Sequence, residues 1–320
     1  MILDLHVHVS AQTQGHGKMS RQLMASVPFR FMRWKFGISG DDKTTEVAVA
    51  AKLASTLQQT QSLDAAVILA FDAVYDHEGC LDDANTHLYV SNAYVIGLCK
   101  QFSKMRFGAS VHPYRKDAVA EIERCVAEGA VLMKWLPIVQ NFNPADERCI
   151  PFYEVLAHHR LPLLSHTGGE QSLPRLDDSV ADPMLLLPAI QRGVTVIAAH
   201  CGTRSHPRER DYLPEFVRLA QDHENFYGDT AALNLPARWY AYDTILTNPT
   251  VREKLVHGSD WPIPAIPSVR HLGLAECADL LMDANWMRRD ILIKEKLGFD
   301  AAYWHRAAKV VGLSNSEIIS

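Results

Sequence analysis

Short apolar runs alternate with amphipathic stretches along the whole chain. Eight runs read as strands: residues 2–8 (ILDLHVH), 64–72 (DAAVILAFD), 106–113 (RFGASVHP), 130–137 (AVLMKWLP), 161–168 (LPLLSHTG), 194–202 (VTVIAAHCG), 225–231 (NFYGDTA) and 254–262 (KLVHGSDWP). Between them, apolar residues recur at helical spacing. In 115–129, Ala118, Ile122, Cys125 and Val126 mark one face, and Gly129 stands where a helix would stop. Residues 149–161 and 184–193 read the same way, the second with a kink expected at Pro188. Eight strand–helix units predict an α/β fold, a closed (β/α)8 TIM barrel rather than an open doubly wound sheet. The open sheet would want a Gly-rich phosphate turn after its first strand, where this chain has HVHVSAQTQGHG.

No internal repeat or low-complexity linker interrupts the pattern, so residues 1–320 are expected to form one domain. A long insertion, residues 19–42, follows the first strand; its Met, Phe and Trp residues with interleaved arginines suit a lid or the contact of a homodimer. Residues from about 270 to 320 are expected to hold the last helix and a C-terminal helical extension.

Composition narrows the function classes. The chain is 48% hydrophobic and 22% charged with a net charge of -5, an ordinary globular balance that argues against a nucleic-acid surface. No apolar run suits a membrane span and no basic n-region opens the chain, so a cytoplasmic protein without membrane partners is expected. The six cysteines are scattered without a C-x-x-C and fit reduced thiols.

The strands finish in unusual residues, near His8, Asp72, His112, Lys134, His166, Gly202, Asp229 and Asp260. In an α/β barrel these ends share one pocket. Strict alternation puts Ile2, Asp4, His6 and His8 on one face of the first strand, with Leu3, Leu5 and Val7 packing outward on the helices. It groups Lys134 with Leu132, His166 with Leu164, His200 with Val196 and Ala198, and Asp260 with Val256 and Gly258. His257 then points toward the helices and is discounted as a ligand. Each residue has a plainer alternative: His166 as a hydrogen-bonded core histidine, Asp260 as a helix cap, Lys134 as a salt-bridged lysine. Together they differ, because burying such groups at one mouth without partners costs several kcal/mol each. A divalent metal is the economical partner, and imidazole with carboxylate suits zinc first, then manganese, iron or nickel.

LHVH, SHTG, AHCG and GSDWP, in this order and at barrel spacing, resemble the amidohydrolase superfamily over residues 2 to about 262, within the branch that also contains aminocarboxymuconate-semialdehyde decarboxylase. The resemblance implies that His6, His8, His166 and Asp260 ligate a metal, and that His200 ligates a second ion or orients the attacking water. It also implies that Lys134 is a ligand, carboxylated where it bridges two ions, so one or two ions per chain are expected. An unmodified inward ammonium beside a dication would be repelled, which favours the bridge. Relatives of this branch often carry Lys-Leu-His-Pro where this chain has Lys-Trp-Leu-Pro.

The chemistry expected of such a set is hydrolysis of an amide, lactam, lactone or ester of a small molecule by metal-activated water, with Asp260 handling the proton. The alternatives are non-oxidative decarboxylation of a small carboxylic acid, with His200 and Asp260 managing protons, and a binding protein with a vestigial site. Arg204, with His206 and Arg208 in the loop after strand six, is expected to bind an anionic substrate group. Trp135, His112, Asp72 and Asp229 are expected on the pocket wall.

Overall fold

Eight short parallel strands carry the architecture, each overlapping an expected run. They are β1 (Leu3–His8), β2 (Ala65–Leu69), β3 (Met105–Ala109), β4 (Leu132–Trp135), β5 (Leu163–His166), β6 (Val196–Ala199), β7 (Phe226–Asp229) and β8 (Leu255–Val256). Neighbours pair in sequence order from β1 to β8. The two ends of the sheet meet through Leu5 N–H to His257 O (3.1 Å), Asp260 N–H to His6 O (2.9 Å) and His8 N–H to Trp261 O (2.8 Å), closing the TIM barrel. The computed structural model describes residues 1–314, so the last part of the expected C-terminal extension lies outside the described residues.

Two apolar clusters show which way each strand faces. Leu3, Leu5, Val67, Leu132, Leu164, Ile197 and Val256 come from six strands yet form one cluster, which is only feasible inside the barrel. Ala307, Ala308 and Val311, from the last helix (Ala301–Val310) and the residue after it, join this cluster. The alternate set, including Val7, Ile68, Met133, Leu163 and Val196, packs with helix residues such as Ile122, Leu156 and Phe216. Gly108 in β3 makes room for the interior layer, since a Cβ there would lie 2.7 Å from Leu69 Cδ2 and 2.8 Å from Val67 Cγ1.

This assignment corrects the expected face of Leu3 and Leu5, which point into the barrel while Val7 points out. The register of β1 on β2 slips between Asp4 and Val7. Leu3 and Asp4 face Ala65 and Ala66, and Val7 and His8 face Ile68 and Leu69. Leu5 and His6 therefore share the single position opposite Val67, a β-bulge. The extra residue lets one strand send Leu3 and Leu5, and then His6 and His8, to the same side.

The helix expected near Pro188 is a short 3-10 turn, Pro183–Leu186, followed by the α-helix Leu187–Gln191. Pro188 sits in the first turn of that helix, where its missing N–H is harmless. The insertion folds into two short helices, Arg21–Ala25 and Val27–Lys35, whose N-termini are capped by Ser20 and Ser26. A two-stranded antiparallel ribbon, Gly17–Met19 with Leu88–Val90, braces it. Among the described residues no helix is long and apolar enough to cross a membrane.

Behind β8, the helix Trp286–Lys296 supplies a buried ion pair. Lys294 Nζ donates to Asp290 Oδ2 (2.5 Å) and to Gly258 O (2.8 Å), while Asn234 Nδ2 donates to Asp290 Oδ1 (2.7 Å). These bonds fasten the segment that leads from β8 to Asp260. Lys294→Ala is expected to lower the unfolding free energy in urea by about 3–5 kcal/mol, because it strands a buried carboxylate. Lys294→Met combined with Asp290→Leu is expected to lose clearly less. Equal losses in the two variants would show that the pair is not held by its charges.

Candidate metal centre

His6 is fully buried at the top of β1, and its ring is fixed from behind. Nδ1–H donates to Asp229 Oδ2 at 2.6 Å, which leaves Nε2 as the unprotonated, electron-pair-bearing atom facing the barrel mouth. Asp229, at the end of β7, also accepts from the backbone N–H of His200 (2.7 Å) and of Ala231 (3.1 Å) through Oδ1. Burial pushes the Asp229 carboxyl up, and the His200 amide pulls it back. Gly258 allows this arrangement, since a Cβ there would stand 2.8 Å from His6 Cβ.

Three donor atoms converge beside that ring. His6 Nε2 lies 3.1 Å from His8 Nε2 and 3.4 Å from Asp260 Oδ1, and His8 Nε2 lies 3.2 Å from Asp260 Oδ1. Asp260 reaches this position because its backbone turns through a left-handed conformation (φ 63°). Non-glycine residues adopt that region rarely and often at functional sites. Asp4 couples the two strands from below: its Oδ1 accepts from the N–H of His6 (3.2 Å) and of Ser259 (2.9 Å). Burial raises the Asp4 carboxyl to about 7.

The remaining expected donors surround this triangle. Lys134 on β4 is buried, with Nζ 3.1 Å from His6 Nε2, and burial lowers its pKa to about 8. The His166 and His200 rings are centred 4.9 Å apart, and the His6 and His200 rings 5.2 Å apart. His200 is brought in by a different device from the one expected. Ile197 and Ala199, not Val196 and Ala198, face the barrel interior. The chain then leaves β6 through left-handed backbone at His200 (φ 60°) and Cys201 (φ 53°), which turns the ring back toward the mouth. His200 Nδ1–H donates to Ala231 O at 2.8 Å, so Nε2 is the unprotonated atom. Burial holds His6, His166 and His200 well below the usual imidazole range, with Lys134 adding to the effect on His6 and His166 and Arg238 on His200. They are neutral rings, the form that ligates metals. His257 faces the other way, against Trp304 and Lys294.

These residues fit a divalent cation. Around metal–ligand bonds of about 2.0–2.2 Å, neighbouring ligands stand roughly 3.0–3.5 Å apart, the spacing of the His6, His8 and Asp260 donors. His166 Nε2 is also buried without a hydrogen-bond partner. Such an atom costs free energy unless something supplies the missing contact. A second triad, His6, His200 and Asp229, also lies close together. Its Asp229 oxygens, however, already accept from His6 Nδ1 and from backbone amides.

The centre forms the floor of a cavity of about 150 Å³. The insertion provides its roof through Leu23, Phe29, Met32, Arg33 and Phe36, as a lid would. Trp135, Asp72 and His112, expected on its wall, and Arg204, expected to hold an anionic group, stand elsewhere. Trp135 is fully buried, with Nε1–H donating to Val111 O (2.7 Å) and its ring among Phe142, Phe152 and Tyr153. Asp72 and His112 satisfy each other's loops instead of a ligand. Asp72 Oδ2 accepts from His112 N–H (2.7 Å) and Arg115 (3.1 Å), and His112 Nε2–H donates to Gln140 O (2.8 Å). Arg204 lays its guanidinium over the Tyr240 ring, 4.9 Å from its centre.

Conversely, Glu170 lines the cavity beside His166, its Oε2 3.9 Å from His166 Nδ1, and was not anticipated. The signal was its position four residues beyond His166 in SHTGGE. Arg238 is buried nearby, donating to Thr203 Oγ1 (3.0 Å) and Gly169 O (2.7 Å). Nothing in its local sequence announces that placement.

Asp229→Asn is expected to weaken metal binding about 10–100-fold with the fold retained, since the partner that orients His6 is lost. Competition against a chromogenic chelator reads this directly. An unchanged affinity would remove Asp229 from the centre.

A family model described as "Amidohydrolase" matches residues 3–311. No curated protein matches the chain. Among solved structures, an uncharacterised TIM-barrel protein of Bordetella bronchiseptica superposes with a TM-score of 0.63 at 14% identity, covering 100% of this chain and 99% of that one. A probable 2-pyrone-4,6-dicarboxylic acid hydrolase of Acinetobacter baumannii, with citric acid bound, gives 0.56 at 13% identity, covering 99% and 97%. A dihydroxybenzoic acid decarboxylase of a Polaromonas species, with manganese and the inhibitor 2-nitroresorcinol, gives 0.55 at 15% identity, covering 99% and 98%. At these identities the superpositions speak to the fold, and the family match speaks to descent: this TIM-barrel chain belongs to the amidohydrolase family and is an enzyme of that family.

Proposed function

We propose that the enzyme is a metal-dependent hydrolase that cleaves an ester, lactone, lactam or amide of a small molecule. One divalent ion, zinc by the nitrogen-rich donor set, would be held by His6, His8, His166 and Asp260, and Lys134 would join from β4 only once its proton, already loosened by burial, is lost. Such an ion polarises a carbonyl oxygen and acidifies a water.

The chain's own groups supply the rest. His200 keeps its proton on Nδ1 for Ala231 O, so Nε2 takes a hydrogen bond from the incoming water and directs it. Asp260 accepts the water proton as the water oxygen bonds to the carbonyl carbon. It returns that proton to the leaving oxygen or nitrogen as the tetrahedral adduct collapses. Asp4 and Asp229 hold Asp260 and His6 in register for these transfers. The roof of the insertion keeps bulk water from the reacting carbonyl.

The observation that carries hydrolysis over decarboxylation is the charge of the wall. Among the described residues that line the cavity, Arg33 is the single cationic side chain, and Glu170 and Asp260 are acidic. A decarboxylase must orient a carboxylate with cationic side chains beside the ion, and the one this wall offers, Arg33, turns its guanidinium toward Gly40 O.

A panel of neutral esters, lactones and amides together with aromatic acids, run in ¹⁸O-water with the zinc-loaded protein, tests the reading. One ¹⁸O in the acid product without CO₂ release is expected. Asp260→Asn should lower kcat by about 10²–10⁴-fold. Release of CO₂ from an aromatic acid with no solvent oxygen incorporated would replace hydrolysis by decarboxylation.

A further inference from the structure

We infer that the substrate is an uncharged, largely apolar carbonyl compound, such as an ester or lactone with a hydrocarbon body, and not the di- or polycarboxylate type of ligand. The inference builds on the hydrolase reading and names the substrate class of the same cavity.

The polarity of the cavity is divided by depth. Its floor holds the imidazoles and Asp260, which suit one carbonyl group. Its sides and roof are hydrocarbon and aromatic: Leu23, Phe29 and Phe36 from the insertion, Phe71 after β2, Leu136 after β4 and Trp261 after β8. Phe36 stacks on Trp261 with ring centres 5.5 Å apart and planes inclined by 13°, which makes a flat aromatic wall above the donors. Leu23 and Phe29 are buried although the helices that carry them are short and surface-lying. A wall of this kind gains about 0.8 kcal/mol for each methylene removed from water, a factor of about 4 in affinity.

Beyond the ion on the floor, the wall gives an anion little to pair with. Glu170 Oε1 accepts from the backbone N–H of Ser172 and of Leu173, which fixes an acidic group on the cavity side; burial pushes its carboxyl up, and the nearby buried Arg238 guanidinium offsets part of that. Arg33 is half-buried, and its guanidinium reaches Gly40 O at 3.5 Å on the outer edge of the roof. The arginine-rich loop beyond β6 opens on a separate surface hollow lined by Arg175, His206, Arg208 and Arg210. An anionic group bound there would not lie on the donor floor.

Calorimetric titration with ligands that cannot be hydrolysed separates this inference from the reaction type. The zinc-loaded full chain is titrated with 2-butanone through 2-nonanone, and with succinate through suberate. Affinity for the ketones is expected to rise about 3–4-fold per methylene over the first few carbons, with dicarboxylates of matching length binding at least tenfold more weakly. Phe36→Ser should flatten the ketone series. A series flat in chain length, or dicarboxylates binding more tightly than ketones, would overturn the substrate class even where ¹⁸O labelling supports hydrolysis. A steep ketone series alongside CO₂ release would instead overturn hydrolysis and keep the apolar ligand.

Discussion

The hydrogen bond from His6 Nδ1 to Asp229 Oδ2, 2.6 Å long and shut off from water, decides where the other donors must stand. It commits one ring nitrogen to the protein and turns the other, with its electron pair, to the barrel mouth. Once Nε2 is fixed, His8 and Asp260 lie within 3.4 Å of it, and Lys134 approaches to 3.1 Å. The lone pairs and carboxylates gathered this closely in a buried site need positive charge beside them, which Lys134 Nζ supplies in this structure and which suits a metal ion. The rest of the local structure maintains that crowding. Gly258 removes a Cβ that would displace His6, Asp4 ties β1 to the segment carrying Asp260, and Lys294 anchors that segment from behind.

Much of this frame was legible in the sequence because buried strands and amphipathic helices have different periods. The eight strands fall in the expected runs, and the metal-binding candidates of β1, β4, β5, β6 and β8 come together at one mouth. What alternation misread was local backbone irregularity. The bulge in β1 reverses Leu3 and Leu5 yet leaves His6 and His8 inward, so the inference about the histidines survived a wrong premise. His200 lay on the wrong parity and was recovered by left-handed backbone, a property that a non-glycine residue does not advertise.

The expected wall residues failed for reasons of two kinds. Trp135 adjoins Lys134 on one strand, so alternation alone sends it outward once the lysine points in. That signal was present in the sequence. Asp72 and His112 follow strand ends much as the candidate donors do, and only the loops beyond β2 and β3 determine that they bond to each other. Glu170, Arg238 and the insertion likewise acquire their places from contacts between segments far apart in the chain. The same loops set the character of the cavity: a polar floor from strand ends and an apolar roof from residues 19–42. Within one family fold, the chemistry sits on the strands and the ligand preference on the connections.

An anomalous difference map recorded at the zinc edge from crystals of the zinc-loaded protein examines the centre most directly. A single peak within bonding distance of His6 Nε2, His8 Nε2 and Asp260 Oδ1 is the expected result. A peak away from those three atoms, or two peaks of equal height, would contradict it.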